Sequence, residues 1–148
     1  MTQISDLIHN RILICAVLSW CTAQVLKVLI YMAIEKHFDI RRFFGMGGMP
    51  SAHSAFVFSM ALMTGLCEGF GSAAFAIASV LMVVVIYDAL GVRAETGKQG
   101  WVLNRILREV LVEGQPITEK KLKELVGHTP LEVAGGVVVG LIIVLIML

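Results

Sequence analysis

A string of glycine, proline, serine and histidine interrupts an otherwise apolar stretch between Gly47 and His53. A helix that begins within this string presents unpaired backbone N–H groups and the positive end of its dipole. Glycines ahead of the helix, Gly48 among them, let the backbone approach a phosphate closely. Ser51 is able to cap the helix or to donate a hydrogen bond, and His53 lies in the first turn. The string favours an anion site, and a serine cap with an interfacial histidine is the alternative.

A second polar string, from Gly127 to Glu132, opens the last apolar segment. Thr129 followed three residues later by Glu132 is typical of a capping box, with Pro130 at the first helical position. That interpretation explains these three residues without chemistry and leaves His128 unexplained. A carboxylate that bonds one imidazole nitrogen makes the other nitrogen a better nucleophile. We expect His128 and Glu132 to act together, and an interfacial histidine beside a purely structural glutamate is the alternative.

Two ionisable residues, Lys27 and Asp88, lie near or inside apolar segments. A charge at the centre of a membrane helix costs roughly 2.5–3.5 kcal/mol, so such residues normally face a cavity and find partners. We expect both at the anion site, and an ion pair of Asp88 with Lys27 or with Arg93 is the alternative. Arg41 and Arg42 are interpreted either as phosphate ligands or as topology signals and lipid headgroup contacts.

The composition shows what kind of molecule carries these residues. The chain has 148 residues, of which 57% are hydrophobic and 16% are charged, and its mean hydropathy is +0.85. Soluble domains have roughly 45–50% apolar and about 25% charged residues, so this surplus indicates a membrane protein. Disorder, basic-patch binding of nucleic acid and most soluble enzymes are excluded. The three cysteines match no metal or disulfide pattern and are expected to be reduced packing residues.

Apolar segments of about 20 residues predict membrane spans. We predict an all-α, polytopic bundle of four transmembrane helices that forms a single domain over residues 1–148. An amphipathic helix, Trp101–Val112, is expected to lie in the membrane interface, followed by a short helix from Thr118 to Val126. The predicted spans are Ile12–Ile34, Ser54–Phe70, Ser72–Val92 and Pro130–Leu148, the second being the shortest.

Lysine and arginine in the connections predict the orientation. The first connection carries three such residues and the third carries seven, whereas the second carries none. Two crossings separate the first and third connections, so their positive charges share one side, which we predict to be cytoplasmic. The polar strings, Lys27 and Asp88 then converge on that side.

The strings Pro50-Ser51-Ala52-His53, Tyr87 to Arg93 and Gly127 to Glu132 resemble the type 2 phosphatidic acid phosphatase (PAP2) superfamily, which includes the vanadium haloperoxidases. Together they look most like its divergent branch of small membrane proteins. The resemblance extends from Gln24 to Gly140.

The resemblance implies a role for each matching residue. It implies that His53 is the general acid, that His128 is the nucleophile and that Glu132, where the family has aspartate, orients it. Ala52 replaces the glycine of the family pattern, and Leu122 replaces an arginine whose charge Arg93 or Lys98 would supply. The phosphate-binding residues that the resemblance and the strings imply are Lys27, Gly48, Ser51, Arg42, Arg93 and Lys98, with Asp88 expected beside the catalytic residues.

The resemblance predicts a membrane phosphatase that hydrolyses a phosphomonoester lipid through a phosphohistidine, without a cofactor. Its cytoplasmic site favours phosphatidylglycerophosphate or phosphatidic acid as substrate, in the inner membrane of a bacterium. The alternatives are a non-catalytic protein that binds or translocates lipid phosphate, a Mg²⁺ enzyme using Asp88 and Glu132, and a structural membrane subunit. Small residues at 135, 136 and 140 predict close helix packing, either within the chain or across a homodimer.

Overall fold

The computed structural model describes residues 2–36, 48–91, 99 and 129–148. All regular structure in these residues is helical, which confirms the predicted all-α class. The helices are α1 (Thr2–Ile8), α2 (Arg11–Glu35), α3 (Ala52–Glu68), α4 (Ala73–Leu90) and α5 (Pro130–Met147). The predicted interfacial helix Trp101–Val112 and the short helix after it lie outside the described residues.

Short polar side chains begin the four long helices. Asn10, Ser51, Ser72 and Thr129 each accept a hydrogen bond from the backbone N–H three residues further on, at 3.0–3.3 Å. Such caps satisfy N–H groups that lack a partner in the first turn of a helix. Gly69, with φ of +90°, ends α3 and starts the predicted tight turn into α4.

Helix α3 is the centre of the bundle and packs against α2, α4 and α5. It runs antiparallel to α2, because Ala52 near its start packs with Ala23 and Met63 near its end packs with Cys15. It runs parallel to α5, because Ser51 bonds to Glu132 at the beginning of both helices and Met63 packs with Val144 towards their ends. Antiparallel α4 lies mainly against α3.

Three of the described helices are long and apolar enough to cross a membrane: α2, α4 and α5. The protein is therefore an integral membrane helix bundle. The remaining predicted span is α3, which has 17 residues and would be about 25 Å long. Because α3 lies alongside all three long helices, a fourth crossing stays the prediction.

Two glycines of α5 allow its backbone to approach that of α3. A Cβ atom at Gly136 would collide with the carbonyl oxygen of Ser51, and one at Gly140 would lie 2.9 Å from the carbonyl oxygen of Ala55. The predicted close packing of small residues is therefore confirmed, and it occurs within the chain. The glycine face consequently gives no argument for a homodimer.

Candidate functional site

The beginnings of α3 and α5 lie side by side at one end of the bundle. The backbone N–H of Ser51 donates a 2.9 Å hydrogen bond to the carbonyl oxygen of Glu132. A Cβ atom at Gly135 would lie 3.4–3.5 Å from Met49 and Pro50, so the two strings pack directly against each other. Two helix N-termini, each with a positive dipole end, therefore point to the same end of the bundle.

Lys27 brings a cation to this pair of helix ends. It is only 7% exposed, although it belongs to a helix that spans the membrane. Its side chain runs along Gly48, where an added Cβ atom would lie 3.5 Å from Lys27 Cγ. Gly48 has φ of +90°, so a glycine is required there by its backbone conformation rather than by lack of space. The predicted convergence of Lys27 with the first polar string is confirmed.

Among the described residues, the carboxylate of Glu132 interacts electrostatically with Lys27. This carboxylate also has a structural task, because its Oε2 accepts the N–H of Thr129 at 3.0 Å, while the Thr129 hydroxyl accepts the N–H of Glu132 at 3.3 Å. The capping box predicted for these residues is confirmed. Glu132 therefore caps the first turn of α5 and also interacts electrostatically with Lys27, for which Asp88 was the predicted alternative partner.

Ser51 is fully buried and acts as the cap of α3. Its hydroxyl oxygen accepts hydrogen bonds from the N–H of Ser54 at 3.3 Å and from the Ser54 hydroxyl at 2.9 Å. The capping interpretation is confirmed, and direct binding of a substrate by the Ser51 hydroxyl stays a prediction. The neighbouring His53 lies in the first turn of α3 and is exposed.

Asp88 lies at the same end of the bundle as His53. Helices α3 and α4 form an antiparallel hairpin, and the two residues are the same number of positions away from its turn. Asp88 is half-buried, and both side chains take part in further interactions within the protein. The fold therefore brings the end of α4 to the level of the two helix beginnings.

Four predicted site residues lie outside the part of the chain that the structure describes: His128, Arg42, Arg93 and Lys98. Of the other six, Lys27, Gly48, Ser51 and Glu132 form a connected group, and His53 and Asp88 share its end of the bundle. Within the described ranges, no three His, Cys, Asp or Glu residues are grouped closely enough to hold a metal ion.

One polar residue beside this group was missed as a site candidate. Gln24 lies one turn before Lys27 in α2 and is 94% buried, and its Oε1 atom has no hydrogen-bond partner in the part of the chain that the structure describes. The signal in the sequence was an amide three residues from a lysine within an apolar segment, since residues at that spacing share one side of a helix.

Comparison with known proteins shows which family the chain belongs to. The profile of a family described as the divergent PAP2 family matches residues 8–143. The chain belongs to the divergent PAP2 family. The match includes α2 to α4 and most of α5, so each described residue of the candidate site falls within it. The resemblance inferred from the polar strings is confirmed.

A full-length relative supports the same assignment. The uncharacterized membrane protein YuiD of Bacillus subtilis (strain 168) is 32% identical over 152 residues, and the match covers 96% of each chain. No solved structure matches the chain. Membership of the divergent PAP2 family therefore rests on sequence, and the helical bundle agrees with it.

Proposed function

We propose that this protein is a membrane phosphatase that removes phosphate from a phosphomonoester lipid of the phosphatidylglycerophosphate or phosphatidic acid type. The observation that carries the proposal is the meeting of buried Lys27 with the paired beginnings of α3 and α5. Phosphate is the ligand that such an arrangement suits, because a buried cation and the positive ends of two helix dipoles both favour an anion. Membership of the PAP2-related family supports the reaction type.

In the proposed site, Lys27 and the positive dipole ends of α3 and α5 hold the phosphate oxygens. Gly48 keeps the backbone close to the lysine without an intervening side chain. Arg42, Arg93 and Lys98 supply further positive charge, which a phosphate monoester with up to two negative charges requires. These groups also stabilise the charge that develops on the phosphoryl oxygens in the transition state.

The reaction proceeds by two displacements at phosphorus. A ring nitrogen of His128, oriented by Glu132, forms a bond to phosphorus while the bond to the lipid oxygen breaks. His53 donates a proton to the departing oxygen, and the lipid leaves as an alcohol. Water then attacks the phosphohistidine, His53 accepts the water proton, and inorganic phosphate leaves. Asp88, at the same level as His53, is proposed to fix the orientation of its imidazole.

The proposed site faces the cytoplasm. Helix α2 ends at Glu35 and α4 ends at Leu90, both at the site end of the bundle, and the connections that follow these two helices carry ten of the twelve lysines and arginines. Positively charged connections stay on the cytoplasmic side of a membrane. The substrate is then a lipid of the inner leaflet.

Phosphate release by the purified protein tests the proposal. Removing a general acid or base typically lowers the rate by a factor of 10² to 10⁴. The rate of phosphate release by His53→Ala and by His128→Ala should therefore be lower than that of the wild type by a factor of about 10² or more. His9→Ala is the matched control, because His9 is exposed at the opposite end of α2 and bonds to the carbonyl oxygen of Ser5. Unchanged release in both site variants would refute the assignment.

Chemical trapping distinguishes the proposed intermediate from direct hydrolysis. With a lipid carrying labelled phosphate, the protein should acquire label that is stable to base and labile to acid, as expected for phosphohistidine. His128→Ala should acquire none, whereas His53→Ala should retain the ability to be labelled.

Activity in excess EDTA tests the alternative in which Asp88 and Glu132 bind Mg²⁺, because that alternative requires activity to disappear.

A second candidate function is binding or translocation of lipid phosphate without hydrolysis. The observation that favours it is the use of the Glu132 carboxylate as a helix cap, together with Leu122 at the position of the family arginine. Such a protein would bind vesicles containing phosphatidic acid through Lys27 and would release no phosphate from them.

A further inference from the structure

The Gln24 side chain is an exception among the buried polar groups of the bundle. The Ser19 and Thr64 hydroxyls donate to carbonyl oxygens of their own helices at 2.8 and 2.7 Å. Gln24 Oε1 has no partner, and it is the single buried side-chain atom of this kind within the described residues. Buried polar groups are nearly always hydrogen-bonded, and an unpaired one indicates strain, a function, or an ordered water or ion that binds there.

Gln24 is placed next to the anion site and deeper in the membrane. On a helix, it lies about 60° around the axis from Lys27 and about 4.5 Å further from the site end. Ala23 packs against Ala52 and Ala55 at the start of α3, and Lys27 packs along Gly48. Gln24 therefore lies within one helical turn of Lys27, on the helix whose residues Ala23 and Lys27 contact the start of α3 and Gly48.

The unpaired atom restricts what it is able to bind. An amide oxygen accepts hydrogen bonds, so its ligand must supply a donor. The oxygens of a phosphate dianion are acceptors, which excludes the phosphate itself. A lipid whose phosphate lies at Lys27 places its alcohol part deeper in the membrane, at the level of Gln24. The donor that fits is a hydroxyl group on that alcohol part.

We propose that Gln24 determines substrate specificity by accepting a hydrogen bond from a free hydroxyl on the carbon next to the phosphate-bearing carbon of the lipid. This inference rests on the proposed function and selects between its two substrates. Phosphatidylglycerophosphate carries such a hydroxyl on its headgroup glycerol. In phosphatidic acid the corresponding oxygen is esterified, so it has no proton to donate.

A cycle of two proteins and two substrates tests the contact. The substrates are phosphatidylglycerophosphate and its analogue with hydrogen in place of the secondary hydroxyl, both in detergent micelles. Loss of the hydroxyl should lower the kcat/KM of the wild type about tenfold, equivalent to about 1.4 kcal/mol. Gln24→Leu should hydrolyse both substrates equally, at the rate of the wild type on the analogue. Ser19→Ala, which removes a satisfied buried hydroxyl from the same helix, should keep the tenfold ratio.

Binding of the same two lipids in vesicles separates this inference from the proposed function. A tenfold binding preference that Gln24→Leu abolishes, without phosphate release by any variant, would support the contact and refute the phosphatase. Release with a ratio near one in the wild type would overturn the role of Gln24 and retain the phosphatase. An unchanged ratio in Gln24→Leu would also overturn it. Gln24→Met is a second variant of similar shape, for use if Gln24→Leu does not fold. The ratio of kcat/KM for the two substrates in the wild type tests the contact without any variant.

The melting temperature of the ligand-free protein gives an independent readout. Because the buried Oε1 atom is unpaired, removing it should leave the melting temperature of Gln24→Leu unchanged or higher. A residue with a structural role would show the opposite, and a clear decrease would contradict the inference.

Discussion

A single methyl group at Gly136 tests the packing that joins the two helix beginnings. A Cβ atom there would collide with the carbonyl oxygen of Ser51 and would lie 2.9 Å from Ser54 Cβ. The neighbouring Gly135 offers a matched control, because its added Cβ would lie 3.4 Å or more from Met49 and Pro50. The two substitutions, Gly136→Ala and Gly135→Ala, are chemically identical and adjacent in α5.

The expected magnitude follows from three contributions. Inserting a methyl group into close packing typically costs 1–3 kcal/mol. Moving α5 away from α3 weakens the bond between Ser51 and Glu132, which contributes about 0.5–1.5 kcal/mol. Replacing a helical glycine with alanine returns about 0.5–1 kcal/mol. Gly136→Ala should therefore destabilise the protein by about 0.5–4 kcal/mol, whereas Gly135→Ala should be neutral or slightly stabilising.

Unfolding in detergent measures this difference, with helix content as the signal. Phosphate release should fall in Gly136→Ala, because the collision separates the helix beginnings that bind phosphate, and it should be unchanged in Gly135→Ala. Equal stability of the two variants would show that α3 and α5 do not pack through Gly136, and the proposed anion site would then lose its geometric basis.

Three further substitutions have expected outcomes. Lys27→Met should lower kcat/KM about 100-fold, because the phosphate loses its cation. The stability should not fall, because a buried charge costs roughly 2.5–3.5 kcal/mol in a membrane. Full activity of this variant would show that Lys27 does not belong to the site. Gly48→Ala should destabilise the protein by about 1–2 kcal/mol, because Gly48 has a positive φ. Thermal unfolding measures the change, with Gly71→Ala as the control, since a Cβ atom at Gly71 would meet no neighbour. Equal losses of stability in the two variants would contradict the backbone argument. Glu132→Ala should lower the free energy of unfolding by about 0.5–2 kcal/mol through loss of the capping box. Glu132→Gln should retain the cap but lose phosphate release, because the proposed orientation of the nucleophile requires the negative charge. A Glu132→Gln variant that is both stable and active would show that Glu132 serves only as a cap.

The sequence determined the helices and the way they begin. The caps at Ser51 and Thr129 and the turn at Gly69 were predictable because their hydrogen bonds join residues at most three or four positions apart. The membrane class was predictable from composition, since lipid demands apolar segments of sufficient length. The polar strings also identified the family, because its pattern is a property of residue order.

Tertiary structure alone decided which of these residues meet. The bond between Ser51 and Glu132 joins residues far apart in the chain. The predicted topology starts α3 and α5 on the same side of the membrane, but the sequence did not indicate that the two helices pack directly against each other. The same packing turned the glycine face of α5 towards α3 rather than towards a second copy. It also brought the carboxylate of Glu132 in α5 into electrostatic interaction with Lys27. Among the described residues, it left Gln24 Oε1 buried without a hydrogen-bond partner. Local hydrogen bonds fix a helix, whereas contacts between helices depend on how several apolar faces share one limited volume.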